Sequence, residues 1–442
     1  MATSRPAVRR PNASRSARIG DWAFHADDHA VLDALVSGRH AQSLREYFGA
    51  PAYAQLSALA AAAKKARRPR GPKVLILPGI MGSKIGGAAR DAAGGARPSS
   101  MQRGVIPGVL WIDPLEIAAG RLTSLSLPSG KALQAVGVLL FSYAKLKLRL
   151  AIGGRDAHFH AYDWRLGLEE LGAQLAARIA ADGQPVILVA HSMGGLVARM
   201  AVRMLPKRWV RRLIMLGTPN QGSFASVQAL RGTYPFVRRM SRLDRKHSAE
   251  YLAAKVFNTF PGLYHMLPSR RLKGMNLLDP RDWPADGPAP RGQLLRQVTA
   301  VRAALAPPDS RMIHIIGVNQ ETVVDMRRTG GGFEYAMTND GDGTVPRAMA
   351  TLPKLKCYFV EELHGNLANN AQVIEAIIDL LRRGRTRQLP GHWRERRGPV
   401  RRIDDAQLRT ENGAKIDWAS LSSTEREAAL SELDSARLVI RE

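Results

Sequence analysis

Cysteine is almost absent: Cys357 stands alone in 442 residues, which excludes an internal disulfide framework and any multi-cysteine metal site. The scarcity fits a reducing compartment. The basic start "MATSRPAVRRPNASRSARIGDWAF" lacks the apolar stretch of a secretory signal. Long hydrophobic runs are missing too. The longest, "ALQAVGVLLFSYA" from Ala132, falls short of the ~20 residues that span a bilayer and runs straight into "KLKLR". A soluble chain, cytoplasmic by default, is the expectation. Acidic residues are outnumbered, 38 against 65 Lys and Arg, for a net charge of +27. The excess gathers in "RRPNASRSAR", "KKARRPRGPK" and "LRRGRTRQLPGHWRERRGPVRR". Such termini suit an anionic membrane surface, where each Lys or Arg is worth about 1 kcal/mol. Solvated tails are the plainer reading. Nucleic acid is disfavoured, because no recognition motif or aromatic interleaving accompanies the charge. None of this fixes an oligomeric state.

What is present is a large foldable middle, with 45% hydrophobic residues overall. Residues 1–70 read as a basic N-terminal arm with helices around "DDHAVLDALV" and "YAQLSALAAAAKKA", ended by the linker "RRPRGP". Beyond it, apolar runs such as "KVLILPG", "PVILVAHS", "VRRLIMLGTP", "RMIHIIGV" and "KCYFVEELH" alternate with helical segments. Strands apolar on both faces and separated by helices imply a mostly parallel central sheet flanked by helices. The alternation breaks between residues 222 and 308, an amphipathic and then proline-rich insertion with the character of a helical cap or lid. The expected organisation is therefore 1–70 arm, 71–221 first core segment, 222–308 cap, 309–383 second core segment and 384–442 basic tail. A terminal helix is expected near Ser422 or Ser423, either of which suits an N-cap. The glycine-rich "TGGGFEY" reads as a flexible loop.

The chemistry concentrates in "ILVAHSMGGLVARM". A strand, a serine between small residues and a helical run describe a nucleophile elbow, whose tight turn needs small side chains two before and two after the serine. Ala190 and Gly194 fill those places around Ser192. Serine needs a base, and the base an orienting carboxylate. In the order Ser, Asp, His, each after a later strand, the candidates are Asp342 in "NDGDGTVP" and His364 in "ELHGNL"; Asp340 rivals Asp342 from two residues away. An oxyanion hole needs two backbone N–H groups, one after the nucleophile and one from a loop after an early strand. Met193 and Ile80, the latter in "LPGIMGS", take those parts. A phosphate loop at Gly82-Ser83-Lys84 is excluded, because G-x-x-x-x-G-K-[ST] is absent and Lys84 follows the serine. The pattern asks for no cofactor and no metal.

"LPGIMGS", "GVLWIDP", "AYDWR", "AHSMGGLVAR" with "LGTPNQGS", "FPGLYHMLPS", "GDGTVP" and "LHGNL", in that order from about Lys73 to Leu381, resemble the lecithin:cholesterol acyltransferase-like branch of the α/β-hydrolases. The branch includes phospholipid:diacylglycerol acyltransferases and bacterial lipases. The resemblance implies an α/β-hydrolase fold with a helical lid and a serine-dependent lipase, phospholipase or O-acyltransferase. It also implies Ser192 as nucleophile, Asp342 as acid, His364 as base and Ile80 with Met193 as oxyanion donors. The substrate would be a lipid or other acyl ester. Two other function classes stay open: a soluble small-ester hydrolase, and a membrane- or partner-binding protein whose hydrolase site is unused. The single cysteine departs from secreted members of the branch, which carry disulfides, and the basic termini lie outside the resemblance.

Overall fold

The computed structural model describes residues 22–66, 71–87, 106, 108–269, 272–394, 396, 398–410, 415–422 and 425. In chain order its strands are β1 (Val74–Leu77), β2 (Ser83–Gly87), β3 (Val109–Trp111), β4 (Leu133–Val138), β5 (Ala157–Phe159), β6 (Val186–His191), β7 (Val210–Leu216), β8 (Met312–Gly317), β9 (Thr322–Thr329), β10 (Gly332–Thr338), β11 (Lys356–Val360) and β12 (Arg401–Asp404). Six of them form the central sheet in the order β11-β8-β7-β6-β1-β5, and every pairing in it is parallel. β1, β6 and β8 are buried at every position, as strands covered by helices on both faces must be. Helices Leu168–Ala181 and Met193–Met204 approach so closely that a Cβ on Gly172 would lie 2.4 Å from Met200 Cγ. This is an α/β-hydrolase architecture.

Two antiparallel sheets flank the core. In the first, ordered β3-β2-β4, the longest apolar run of the sequence divides at Leu139 into β4 and the helix Leu140–Ile152. The second, ordered β12-β10-β9, corrects the reading of "TGGGFEY" as a flexible loop. Gly330 and Gly331 make a hairpin turn, and the residues after them form β10, with Phe333, Tyr335 and Met337 buried on alternate positions. The glycine cluster masked a period-2 pattern that starts immediately behind it. The C-terminal segment supplies β12, which pairs with β10 from Met337↔Arg401 to Glu334↔Asp404. The terminal helix expected near Ser422 or Ser423 falls almost wholly outside the described residues.

The N-terminal helices Asp28–Ser37, Ala41–Phe48 and Ala50–Lys65 lie on the main body, and Val31, Leu35, Leu44 and Leu56 belong to the same buried core as the sheet. Asp27 caps the first by accepting the Ala30 N–H, and Gly38 ends it with φ 73°. Lys84 on β2 is 1% exposed and donates to the carbonyls of Ala23 and Ala26 at 3.2 and 2.8 Å. Burial drives its pKa down to about 8, against the opposing pull of Asp28.

Between β7 and β8 lies a segment of helices Phe224–Arg231, Pro235–Leu243, Ala249–Lys255, Pro261–His265 and Gly292–Ala303. Arg231, wholly buried, ties it down. Its guanidinium reaches Asp405 at 3.0 and 3.1 Å, Asp286 at 2.5 Å and the Pro284 carbonyl at 2.9 Å. Asp405 also accepts the Tyr335 hydroxyl at 2.9 Å and the Phe333 N–H at 3.2 Å. A buried charge needs such compensation. No helix among the described residues is long and apolar enough to cross a membrane.

Candidate active site

Ser192 sits at the C-terminal end of β6 with φ 53° and ψ −125°, a conformation that costs a non-glycine residue about 1–3 kcal/mol. The surroundings hold it there. Its N–H donates to the Leu216 carbonyl at 2.8 Å, and the helix Met193–Met204 starts at once. The small-residue requirement is severe. A Cβ on Gly194 would come 2.4 Å from the Pro78 carbonyl oxygen, and one on Gly195 would come 2.0 Å from Thr218 Oγ1. Ala190 is fully buried in the strand. Gly195 adds a demand beyond the two flanking positions that the elbow pattern names.

The later strand ends bring a carboxylate and an imidazole to this serine. His364 Nε2 lies 2.8 Å from Ser192 Oγ, and His364 Nδ1 lies 2.7 Å from Asp342 Oδ2. The other carboxylate oxygen, Asp342 Oδ1, accepts the N–H groups of Thr344 at 3.0 Å and Val345 at 2.7 Å. The turn therefore fixes the carboxylate before the histidine meets it. The His364 N–H donates to the Asp342 carbonyl at 2.8 Å, which joins the two loops through backbone as well. Asp340 is occupied elsewhere, by Arg347 Nε at 2.6 Å. Asp342 is 1% exposed, Ser192 5% and His364 8%. Gly217 lies beneath the pair with φ 57°; a Cβ there would stand 3.0 Å from both Asp342 Oδ2 and His364 Nδ1.

The loop after β1 passes directly over the serine: a Cβ on Gly79 would lie 2.9 Å from Ser192 Cβ. Ile80 lines the cavity at Ser192, whereas Met193 is buried with its Cε against Gly262. Neither the Ile80 nor the Met193 N–H forms a hydrogen bond among the described residues. A relay that sequence reasoning missed holds this loop. The Gly79 N–H donates to the Tyr143 hydroxyl oxygen at 2.9 Å; Tyr143 Oη and His191 Nδ1 are 2.9 Å apart; and His191 Nε2 is 2.9 Å from the His364 carbonyl oxygen. One neutral tautomer satisfies every link, with the tyrosine proton given to Nδ1 and the Nε2 proton given to the carbonyl. Burial, and next the neighbouring His364, push His191 down to about 3 and keep it neutral. The only local signal for it was the histidine beside the serine, and nothing in the sequence marked Tyr143.

A cavity of about 180 Å³ opens from Ser192. Its walls are largely apolar: Trp111, Leu139, Phe141, Phe236, Leu263 and Met266. Phe236, Leu263 and Met266 come from the segment between β7 and β8. Among the described residues no group of three or more His, Cys, Asp or Glu side chains gathers as a metal site.

Residues 152–291 match the family model described as lecithin:cholesterol acyltransferase. No curated protein matches the chain. Similar solved structures include the Bacillus licheniformis lipase BlEst2 in its propeptide form, at 16% identity and a TM-score of 0.35 over 71% of this chain and 52% of that one. The chain thus spans about half the length of that lipase. The Tle4–Tli4 complex follows at 13% identity and a TM-score of 0.41, over 70% of this chain and 98% of that one. Staphylococcus hyicus lipase matches at 12% and 0.30, over 69% and 92%. At these scores the solved structures add nothing to the topology described above.

Proposed function

We propose that this chain is a serine-dependent lipid-ester hydrolase or O-acyltransferase. The observation that carries the reading is the unbroken chain of contacts Asp342–His364–Ser192, at 2.7 and 2.8 Å, at the floor of an apolar cavity. In this reading His364 Nε2 takes the Ser192 proton as Oγ bonds to the ester carbonyl carbon. The carbonyl π-electrons move to oxygen, and the N–H groups of Ile80 and Met193 stabilise the oxyanion. One such donor is typically worth about 10²–10³ in rate. Collapse breaks the carbon–oxygen bond to the alcohol, which leaves with the proton from His364. The acyl group stays on Ser192. Asp342 holds the imidazole in the required tautomer and stabilises its charged form throughout. Water or a lipid hydroxyl then attacks the acyl-enzyme by the same steps in reverse, giving a free fatty acid or a new ester. The segment 222–308 acts as the cap, its Phe236 and Met266 excluding water from the acyl chain.

The test is acyl release from mixed phospholipid vesicles, with and without added lipid alcohol, for wild type, Ser192→Ala and His364→Ala. Serine- and histidine-dependent release is the expected outcome, and the ratio of free acid to new ester assigns the acceptor. Activity persisting in either variant would remove the triad. Turnover only on short soluble esters would remove the lipid.

A further inference from the structure

The end of the sheet opposite Ser192 carries a charge arrangement that ester chemistry does not use. β6 ends at His191, so Ile187 near its start lies roughly 16 Å from Ser192 at about 3.3 Å per residue. There a cavity of about 510 Å³ is lined by Ile187, Gly384 and four arginines, Arg155, Arg211, Arg212 and Arg382. They come from three separate places: the turn before β5, the start of β7 and the end of the helix Ala371–Arg383. No carboxylate lines the cavity, and none of the four forms an ion pair among the described residues.

Part of the arrangement is structural. Arg155 Nη2 donates to the Leu381 carbonyl at 2.7 Å and Arg212 Nη1 to the Leu380 carbonyl at 3.3 Å, satisfying the end of that helix and complementing its dipole. This uses a single N–H on each guanidinium, out of five. Arg211 and Arg382, both exposed, make no side-chain bond among the described residues. The two structural bonds also aim Arg155 and Arg212 at consecutive carbonyls, so their forks share one space. Burial, and after it the charge of Arg382, lower the pKa of Arg155, so these two guanidiniums are within electrostatic reach. Cations gathered without a counter-charge attract an anion, and guanidinium forks match phosphate oxygens bidentately.

We infer that this cavity binds a soluble oligophosphate, a di- or triphosphate group held by Arg155, Arg211, Arg212 and Arg382. Four guanidinium charges exceed the charge of one phosphate, whereas a di- or triphosphate comes closer to balancing them, and the space far exceeds the roughly 30 Å³ of a water. A lipid headgroup is the disfavoured source of the phosphate, because a bilayer held at this end of β6 would sit at the end of the strand opposite Ser192.

Calorimetric titration of the full chain with sodium phosphate, pyrophosphate and tripolyphosphate tests the site, and its readout is independent of any ester turnover. One tripolyphosphate per chain is expected, bound at least about tenfold more tightly than phosphate. Arg211→Gln with Arg382→Gln should weaken it by about tenfold or more and leave the ligand-free melting temperature unchanged. Arg155→Gln with Arg212→Gln should weaken it further. Arg327→Gln with Arg402→Gln, which removes two charges from the surface of β9 and β12, should leave binding intact. The inference fails if tripolyphosphate does not bind, if several bind per chain, or if the β9–β12 pair weakens binding equally. It fails also if phosphatidylglycerol vesicles, and not tripolyphosphate, bind through these arginines.

Discussion

Asp340 and Asp342 differ in their partners more than in their place in the chain. Arg347 engages the first, while two turn amides and His364 engage the second. Asp342→Asn should therefore lower kcat by about 10⁴, the scale set when a triad imidazole loses its correct tautomer. Asp340→Asn should change it only a few-fold, and steady-state kinetics on one ester compares them. A larger loss at Asp340 would move the acid by two residues. Tyr143→Phe breaks the relay at its centre and, if the loop after β1 supplies the proposed oxyanion donor, should lower kcat by about 10–10² with little change in KM. The distinguishing readout is the rate ratio between an ester and its thionoester, whose sulfur depends less on oxyanion donors. That ratio should shrink in the variant, whereas general loosening would slow both substrates alike. Ser192, Asp342 and His364 were legible because each occupies a local turn with its own residue pattern. Tyr143 meets His191 across 48 residues of chain, with no turn or spacing to announce it. In the sequence Asp342 is set apart from Asp340 by the D-G-T-V turn that it begins and by the family resemblance, whereas the Arg347 contact is invisible without coordinates.

Among the elements, the parallel strands were the easiest to read, since burial on both faces leaves continuous apolar runs in β1, β6 and β8. The antiparallel sheets were not. β2 carries two glycines and a lysine, β10 hides behind a glycine turn, and β4 shares one apolar run with the helix that follows it. Short strands paired through distant partners lack the local periodicity that betrays longer ones. The elbow helix also imposes a limit the motif does not state. Gly195→Ala should destabilise the fold by about 1–3 kcal/mol, because Thr218 cannot yield the 2.0 Å contact without moving the strand-loop behind it. Gly87→Ala, whose Cβ would meet nothing within 4 Å, is the control and should stay within about 0.5 kcal/mol. Urea midpoints of the two variants measure the difference.

For the molecule as a whole, four buried histidines set an acid limit. Burial holds His191 and His314 at about 3 and His160 and His265 at about 4, all below the usual imidazole value. Below about pH 6.5 the unfolded chain takes up protons that the folded chain refuses, so stability falls with pH from there to about 4 through His160 and His265 and on to about 3 through His191 and His314. Each histidine contributes up to about 2 kcal/mol of that loss between pH 6.5 and 5. Guanidinium midpoints at pH 7 and 5 should differ clearly, and equal midpoints would mean that these imidazoles are charged in the fold. The basic termini carry a separate expectation: if they touch anionic lipid, raising salt should release the protein from vesicles. Salt-insensitive binding would assign the contact to apolar side chains instead. The large-scale organisation was only half visible in the sequence. A helical N-terminus was readable from its periodicity and from the proline linker that ends it. That Lys84 would be buried beneath it required knowing that β2 runs under the carbonyls of Ala23 and Ala26.

The pairing of Arg231 with Asp405 sets a timetable for synthesis. At about 5–20 residues per second Arg231 meets its first counter-charge, Asp286, 55 residues on, after roughly 3–11 s, but the fully buried one, Asp405, 174 residues on, only after roughly 9–35 s. Until Asp405 is made, the helix Phe224–Arg231 carries an arginine whose buried charge is only partly compensated. The burial of this helix is therefore completed only once the C-terminal segment that carries Asp405 has been made.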